Sequence, residues 1–513
     1  MKARLATRAV AKVALGLVLV ACSHGAKRPQ AAPTAAPAPA KPLASAGAKS
    51  ALLQPPPPGI TPSAPFPPIV EATLDNGLGL RVVEQRIHPI VELRLVIRSG
   101  TATDGEKPGL ALVAGELLKA GGAGGLSAQK LVERAEALGA SLSIITDRDA
   151  TRIALGVTSG DVDAALQILA DVALRPAFNA VEFEKLRSRE IERVRSAARG
   201  SAAWVAAMVL YRELYEQPTA VHPYSRYDAT PADLAKLQLA DCRAWHRAHF
   251  VPSNASLVVV GDVSAASIEK AAATWLGKWK GEPAPRPSFS QPFPPKERQV
   301  YLVDRPGSAQ SQIAVGLLGA ERQSNEWPAL AAANQILGGG VAGRLFLDVR
   351  EKRSLAYSTG SSLADVAVGP TPIVLSAGTQ TPKTAEAVTA LLENLDAIAA
   401  RPPSQAELES ATRFLSDSFL FRLETLGSVA DLTSQLYVLG LPNDYYDTYR
   451  SAVRGLQLPQ VSAAAARYYA HKPVIVVAGD AASLGPSLAK FGPVAVVDPE
   501  QSFALKKSYP HAP

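Results

Sequence analysis

The chain has 513 residues, of which 47% are hydrophobic and 19% charged, so it buries a large core over more than one domain and is not disordered as a whole. Its two cysteines, Cys22 and Cys242, exclude a disulfide framework, a Cys-rich zinc site and an iron–sulfur cluster. The formal charge of +7 is local: 8 of the 53 basic residues and none of the 46 acids lie in the first 50 positions, leaving 45 (53 − 8) against 46, which removes the case for nucleic-acid binding.

Residues 1–22, MKARLATRAVAKVALGLVLVAC, run from a basic start through an apolar stretch to small residues before a cysteine. The apolar run is far short of the roughly 20 residues that cross a bilayer, so it reads as an export signal. Leu19-Val20-Ala21-Cys22 resembles a bacterial lipobox, which implies acylation of Cys22, and Ser23 after it implies the outer membrane. From 23 to 68 the sequence is Ala/Pro-rich and holds 13 of the 41 prolines. Such a segment forms neither helix nor ladder and reads as a tether reaching roughly 40 Å as a relaxed coil.

The body then divides into 69–280 and 299–500 around a Pro-rich linker, 281–298, with 501–513 as a tail. Asp75-Asn76-Gly77 predicts a hairpin turn, Gly supplying positive φ. In VELRLVIR (91–98), Val91, Leu93, Leu95 and Ile97 alternate with polar residues, the pattern of a half-buried strand. Helical periodicity follows at 161–173, 180–196, 325–337, 383–399 and 405–423. The halves repeat one plan. ASLVVVGD (255–262) returns as PVIVVAGD (473–480), with Gly261 and Gly479 separated by 218 residues (479 − 261). GLALVAGELLKAGG (109–122) matches PALAAANQILGGG (328–340), each an apolar helix ending in glycines. LQILADVALRPAF (166–178) parallels LLENLDAIAARPP (391–403). The expected fold is α+β, two homologous domains, each an antiparallel-rich sheet covered by helices.

LDNGLGLRVV (74–83), the GLA…LLKAGG helix, FVPSNASLVVVGD (250–262) and GRLFLDVREKRSLAYS (343–358) together resemble the insulinase-like zinc peptidases, which include pitrilysin and the mitochondrial processing peptidase. The resemblance spans roughly 69–500 and implies half of a clam-like chamber. Active members carry His-x-x-Glu-His on the first helix, where residues four apart share a face and hold one zinc. Laid on GLALVAGE, that pattern puts Leu112 and Glu116 at the histidine positions and Gly115 at the position of the catalytic base. A third family ligand, a downstream Glu, would fall at Glu190 or Glu192. Leucine offers no lone pair and glycine no side chain, so the expectation is no metal on this chain and no catalytic residue of its own. His246-x-x-His249 is the one close His pair and reads as a helix-surface or packing feature rather than a ligand pair, and Cys242 reads as a packing residue.

The same resemblance gives Arg350 and Tyr357, seven residues apart, the place of a pair that reaches the substrate from the C-terminal half. Both donate hydrogen bonds without deprotonation, which suits a peptide carbonyl turning into an oxyanion. Gly338-Gly339-Gly340 reads as a flexible connection or a helix cap, and SQIAVG (311–316) as a strand, either internal or at an edge open to an extended peptide. The implied role is a zinc-less subunit that binds unfolded peptides and pairs with a zinc-bearing homologue, as a heterodimer, or else forms a homodimer. Its cofactor, zinc, would lie on the partner, and its only membrane contact would be the N-terminal lipid. The alternatives are a catalytically dead structural or binding module of the cell envelope and a metallopeptidase active on its own.

Overall fold

A turn at Asp75-Asn76-Gly77 joins β1 (Val70–Thr73) to β2 (Gly79–Glu84), with Gly77 at φ +89°. The Asn76 amide donates to the carbonyls of Leu276 (2.8 Å) and Trp279 (3.1 Å), which pins the turn to the end of a distant helix. The computed structural model describes residues 64–512 apart from 218, 219, 287, 288 and 290. The export signal, Cys22 and the tether as far as residue 63 lie outside the described residues.

The first domain adds β3 (Ile90–Ile97), β4 (Ser143–Thr146), β5 (Thr151–Thr158), a short ribbon of β6 (Glu216–Gln217) with β7 (Ala220–Val221), and β8 (Ala255–Gly261). Its sheet runs β1-β2-β8-β3-β5-β4, antiparallel except for β2 beside β8. The second contains β9 (Gln299–Asp304), β10 (Gln310–Glu321), β11 (Ala356–Leu363), β12 (Pro370–Gln380), β13 (Val474–Gly479), β14 (Val494–Asp498) and β15 (Ala504–Tyr509). Its order is β11-β12-β10-β13-β9-β14-β15.

The repeat seen in the sequence is a repeat of topology. The segment β2-β8-β3-β5-β4 corresponds to β9-β13-β10-β12-β11, with the duplicated VVVG and VVAG strands each between one parallel and one antiparallel neighbour. Every residue of β8 and of β13 is buried, as strands covered on both faces require. Each sheet packs one face on its own helices. The other face is covered by a helix from the opposite half. Helix Leu426–Leu439 lays Val429, Leu432 and Leu436 on Val83, Val96, Val258 and Val260 of the first sheet. Helix Ala202–Tyr215 lays Val205, Val209, Leu210 and Leu214 on Val303, Ala314, Val474 and Val476 of the second.

The helices appear where the periodicity puts them, at Val162–Leu174, Ala180–Gly200, Trp327–Gly338, Thr384–Ala400 and Gln405–Asp417, the last continuing as a 3-10 turn over Ser418–Leu423. No helix of the described residues is long and apolar enough to cross a membrane. One open alternative is decided and two expectations need correction. Residues 311–316 are not at an edge: β10 is paired by β12 on one side and β13 on the other. Residues 501–512 of the expected tail are structured: β15 pairs with β14 at the edge of the second sheet, and Phe503 just before it is buried. The end of the tether docks: Asp447 accepts from the Phe66 amide at 3.0 Å, Arg450 donates to the Ala64 carbonyl at 2.6 Å, and the Phe66 ring lies 5.1 Å from Tyr446.

Candidate functional site

Helix Leu110–Ala120 begins where Asp104 accepts from the amides of Gly109 and Ala111, both at 2.7 Å. Burial pushes the Asp104 carboxyl up to about 7. The helix lies along β4, the edge strand of its sheet. Leu112 and Glu116 are half-buried on one face, as their spacing of four demands. Gly115 faces β4. A Cβ there would stand 2.1 Å from Thr146 Oγ1, a distance that real Cβ contacts essentially never show. Thr146 Oγ1 is itself held 3.1 Å from Thr151 Oγ1. The place where the family pattern puts a catalytic glutamate is therefore filled by a neighbouring strand.

The neighbouring helix Ala180–Gly200 supplies the downstream carboxylates. Glu190 is buried and meets Arg193 Nε at 2.6 Å, and Arg193 in turn holds Asp228 at 2.9 and 3.0 Å. Arg189 reaches both Glu116 (3.4 Å) and Glu190 (3.7 Å). A guanidinium thus stands between the two carboxylates that a cation would have to share. Glu192 points outward and pairs with Arg195 at 2.5 Å. These side chains do not fit a zinc ion: one ligand position is apolar, the base position has no room, and both carboxylates are engaged by arginines. No cluster of three metal-ligating side chains occurs among the described residues.

His246 and His249 are packing residues on helix Leu239–His249. His246 Nε2 lies 2.8 Å from the Ala173 carbonyl and its ring stacks on Phe250, while His249 Nδ1 lies 2.9 Å from Ser99 Oγ. Burial lowers both to about 4. Cys242 is fully buried and its thiol is pushed up to about 12 by burial.

The second half holds a different arrangement. Gly338 ends its helix against β11, where a Cβ would meet the Ser361 amide nitrogen at 2.6 Å, so this glycine serves close packing and Gly339 is the cap. The chain then enters a π-helix, Phe346–Lys352, a geometry that recurs at functional sites. Arg344 anchors its entrance by a two-bond grip on Glu407 (2.7 and 3.0 Å), which holds the Glu407 carboxyl down to about 2. Arg353 anchors its exit, bonded to Asp348 (3.0 Å) and Glu393 (2.7 Å). Arg350 between them is left exposed, over the Phe346 ring at 4.7 Å and 3.6 Å from Glu351. That ion pair is solvent-screened and weak. Ser354, at φ +50°, turns the chain into β11, where Tyr357 is 60% exposed over Gly378.

Arg350 and Tyr357 are thus both exposed, the first on the π-helix and the second on the strand that follows it in the second domain. The groove beside Glu116 is built from first-domain residues only, among them Lys119, Glu133 and Arg189. Sequence reasoning missed Thr146, Arg189 and the anchoring roles of Arg344 and Arg353. Only the three-dimensional neighbourhood reveals the first two, whereas the run of arginines in GRLFLDVREKR was a visible signal that several of them serve structure.

The model of the insulinase family (peptidase family M16) matches residues 81–221, and that of the peptidase M16 inactive domain matches residues 236–415. The chain belongs to the insulinase family. A solved peptidase M16 inactive domain from Pseudomonas fluorescens shares the fold with a TM-score of 0.75 at 25% identity, covering 80% of this chain and 98% of that one. An uncharacterized zinc protease of Bacillus subtilis, YmxG, is 22% identical over 59% of this chain and 71% of its own length. A Helicobacter pylori protein named as a non-peptidase homolog is 24% identical over 74% and 86%. Within the insulinase family this chain is of the non-catalytic type, since Leu112, Gly115 and Glu116 stand where the zinc motif would be.

Proposed function

We infer that the chain is the zinc-less subunit of a two-chain peptidase. One contrast carries the reading. The zinc-motif face has an apolar Leu112 at one ligand position and Thr146 against Gly115 at the base position, whereas Arg350 and Tyr357 stand exposed with no strong partner of their own. A guanidinium and a phenol held ready in this way suit a peptide carbonyl whose oxygen becomes negative as its bond is broken. The metal belongs to a homologous His-x-x-Glu-His subunit in this reading, and this chain contributes donors across a shared clam-like chamber.

β11 is the edge strand of its sheet; helix Trp327–Gly338 covers it at Ser361, which leaves its start, beside the exposed Tyr357 and Ser358, to an extended, unfolded peptide. This strand takes the role that residues 311–316 lose by being internal. Acylation of Cys22 would hold the body on the periplasmic side of the outer membrane. The test is to mix the purified chain with a zinc-bearing homologue from the same organism and assay cleavage of an unfolded fluorogenic peptide. The expected result is activity above that of the homologue alone, with Arg350→Ala lowering kcat by about 10²- to 10³-fold, the effect of losing one oxyanion donor. No gain on mixing, or full activity with Arg350→Ala, refutes the role.

A further inference from the structure

A cavity of about 280 Å³ lies between the two domains, and its polar lining is out of electrostatic balance. Arg98, at the end of β3, stacks over the Tyr437 ring at 4.9 Å, and Arg286 of the linker also lies close enough to act on the Tyr437 hydroxyl. Neither guanidinium has a carboxylate within ion-pair distance among the described residues, unlike most arginines of this chain. Against these two arginines the cavity has one acid, Asp149, whose oxygens are hydrogen-bonded to other groups. One of its oxygens accepts from the Tyr224 hydroxyl at 2.5 Å and the other from the Ala367 amide at 3.1 Å. Burial raises its carboxyl to about 6, so it is mostly ionised at neutral pH, and its single charge still leaves the two arginines in excess.

The remaining wall is apolar, with Phe289, Val438, Leu439 and Val368 prominent. Two unpaired guanidiniums over an apolar floor recognise a carboxylate that carries a hydrocarbon body, since Arg grips planar carboxylates through paired hydrogen bonds. The volume is just below the roughly 300–1,000 Å³ of sites for drug-sized ligands, which limits the occupant to about one or two residues. We propose that this interdomain cavity binds the free C-terminal carboxylate of a peptide ending in an apolar residue, with Arg98 and Arg286 on the carboxylate and Phe289, Val438 and Leu439 around the side chain.

The proposal does not depend on a zinc-bearing partner, so it is tested on the full chain alone. Titration calorimetry with N-acetyl-leucine is expected to show saturable binding that weakens with added salt, and N-acetyl-leucinamide, which lacks the charge, is expected to bind at least tenfold more weakly. Arg286→Ala, at an exposed linker position, should weaken N-acetyl-leucine by about tenfold, and Val368→Trp should block it by filling the mouth. Unchanged thermal unfolding of both variants without ligand shows that the fold is intact. Equal binding of the amide, full binding by both variants, or no binding at millimolar ligand overturns the site. Inorganic phosphate competing as well as N-acetyl-leucine overturns the peptide assignment, because it would show that the apolar wall adds nothing.

Discussion

Gly115→Ala isolates the contact that closes the former base position. In an unobstructed helix, Gly→Ala stabilises by about 1 kcal/mol. Here the new Cβ would stand 2.1 Å from Thr146 Oγ1 and 3.3 Å from Thr146 Cβ. Overpacking of this kind costs about 1–3 kcal/mol, so the net expectation is a loss of roughly 0–2 kcal/mol where helix propensity alone predicts a gain. Thr146→Ala removes the obstructing oxygen and, with it, the bond to Thr151, at a cost of about 1 kcal/mol. In that background Gly115→Ala should become stabilising, giving a coupling energy of about 1–3 kcal/mol between the two sites. Urea unfolding of the wild type, both single variants and the double variant measures it. Stabilisation by Gly115→Ala in the wild-type background, with no coupling, refutes the claim that β4 fills this position. The same geometry predicts that the combination Leu112→His, Gly115→Glu and Glu116→His does not gain stoichiometric zinc by metal analysis, since the glutamate has nowhere to go and Arg189 remains.

Two further outcomes follow from burial. His246 and His249, held neutral with values lowered to about 4, bind fewer protons than in the unfolded chain between about pH 4 and 6.5, so each makes stability rise with pH across that window. Asp104 and Asp149, raised to about 7 and 6, oppose this, binding protons in the folded state that the unfolded chain has released. His249→Asn, which keeps an acceptor for Ser99, should flatten the rise of the urea midpoint between pH 5 and 6.5, and an unchanged slope refutes the role of His249. Phe66→Ala should destabilise the body by about 3 kcal/mol, the cost of emptying a buried aromatic site, and should open the chain before β1 to proteolysis. Unchanged protease resistance would show that the tether does not dock there.

The sequence alone was sufficient for the duplication, because strands buried on both faces must be continuously apolar and ASLVVVGD and PVIVVAGD repeat that signature. It was also sufficient for the loss of the zinc motif, since Leu112 and Gly115 lack the chemistry whatever surrounds them. Arg350 and Tyr357 were named as a candidate pair through the family pattern. Their availability was not legible there. Arg344, Arg350 and Arg353 are identical as letters, and only the positions of Glu407, Asp348 and Glu393 decide which two are tied down.

Strand position was likewise beyond the sequence: SQIAVG has the composition of an internal or an edge strand, and pairing with both β12 and β13 makes it internal. The exchange of helices Ala202–Tyr215 and Leu426–Leu439 was hidden for the same reason. Hydrophobic periodicity states which face of an element must be buried, but not which distant element buries it, because that choice is made by chain segments hundreds of residues apart meeting in space. The sequence by itself determined the two-domain plan and the missing metal ligands. The tertiary structure decided that Thr146 seals the position of Gly115, that Arg189 lies within ion-pair distance of both Glu116 and Glu190, and that Arg350 stays exposed while Arg344 and Arg353 are tied down.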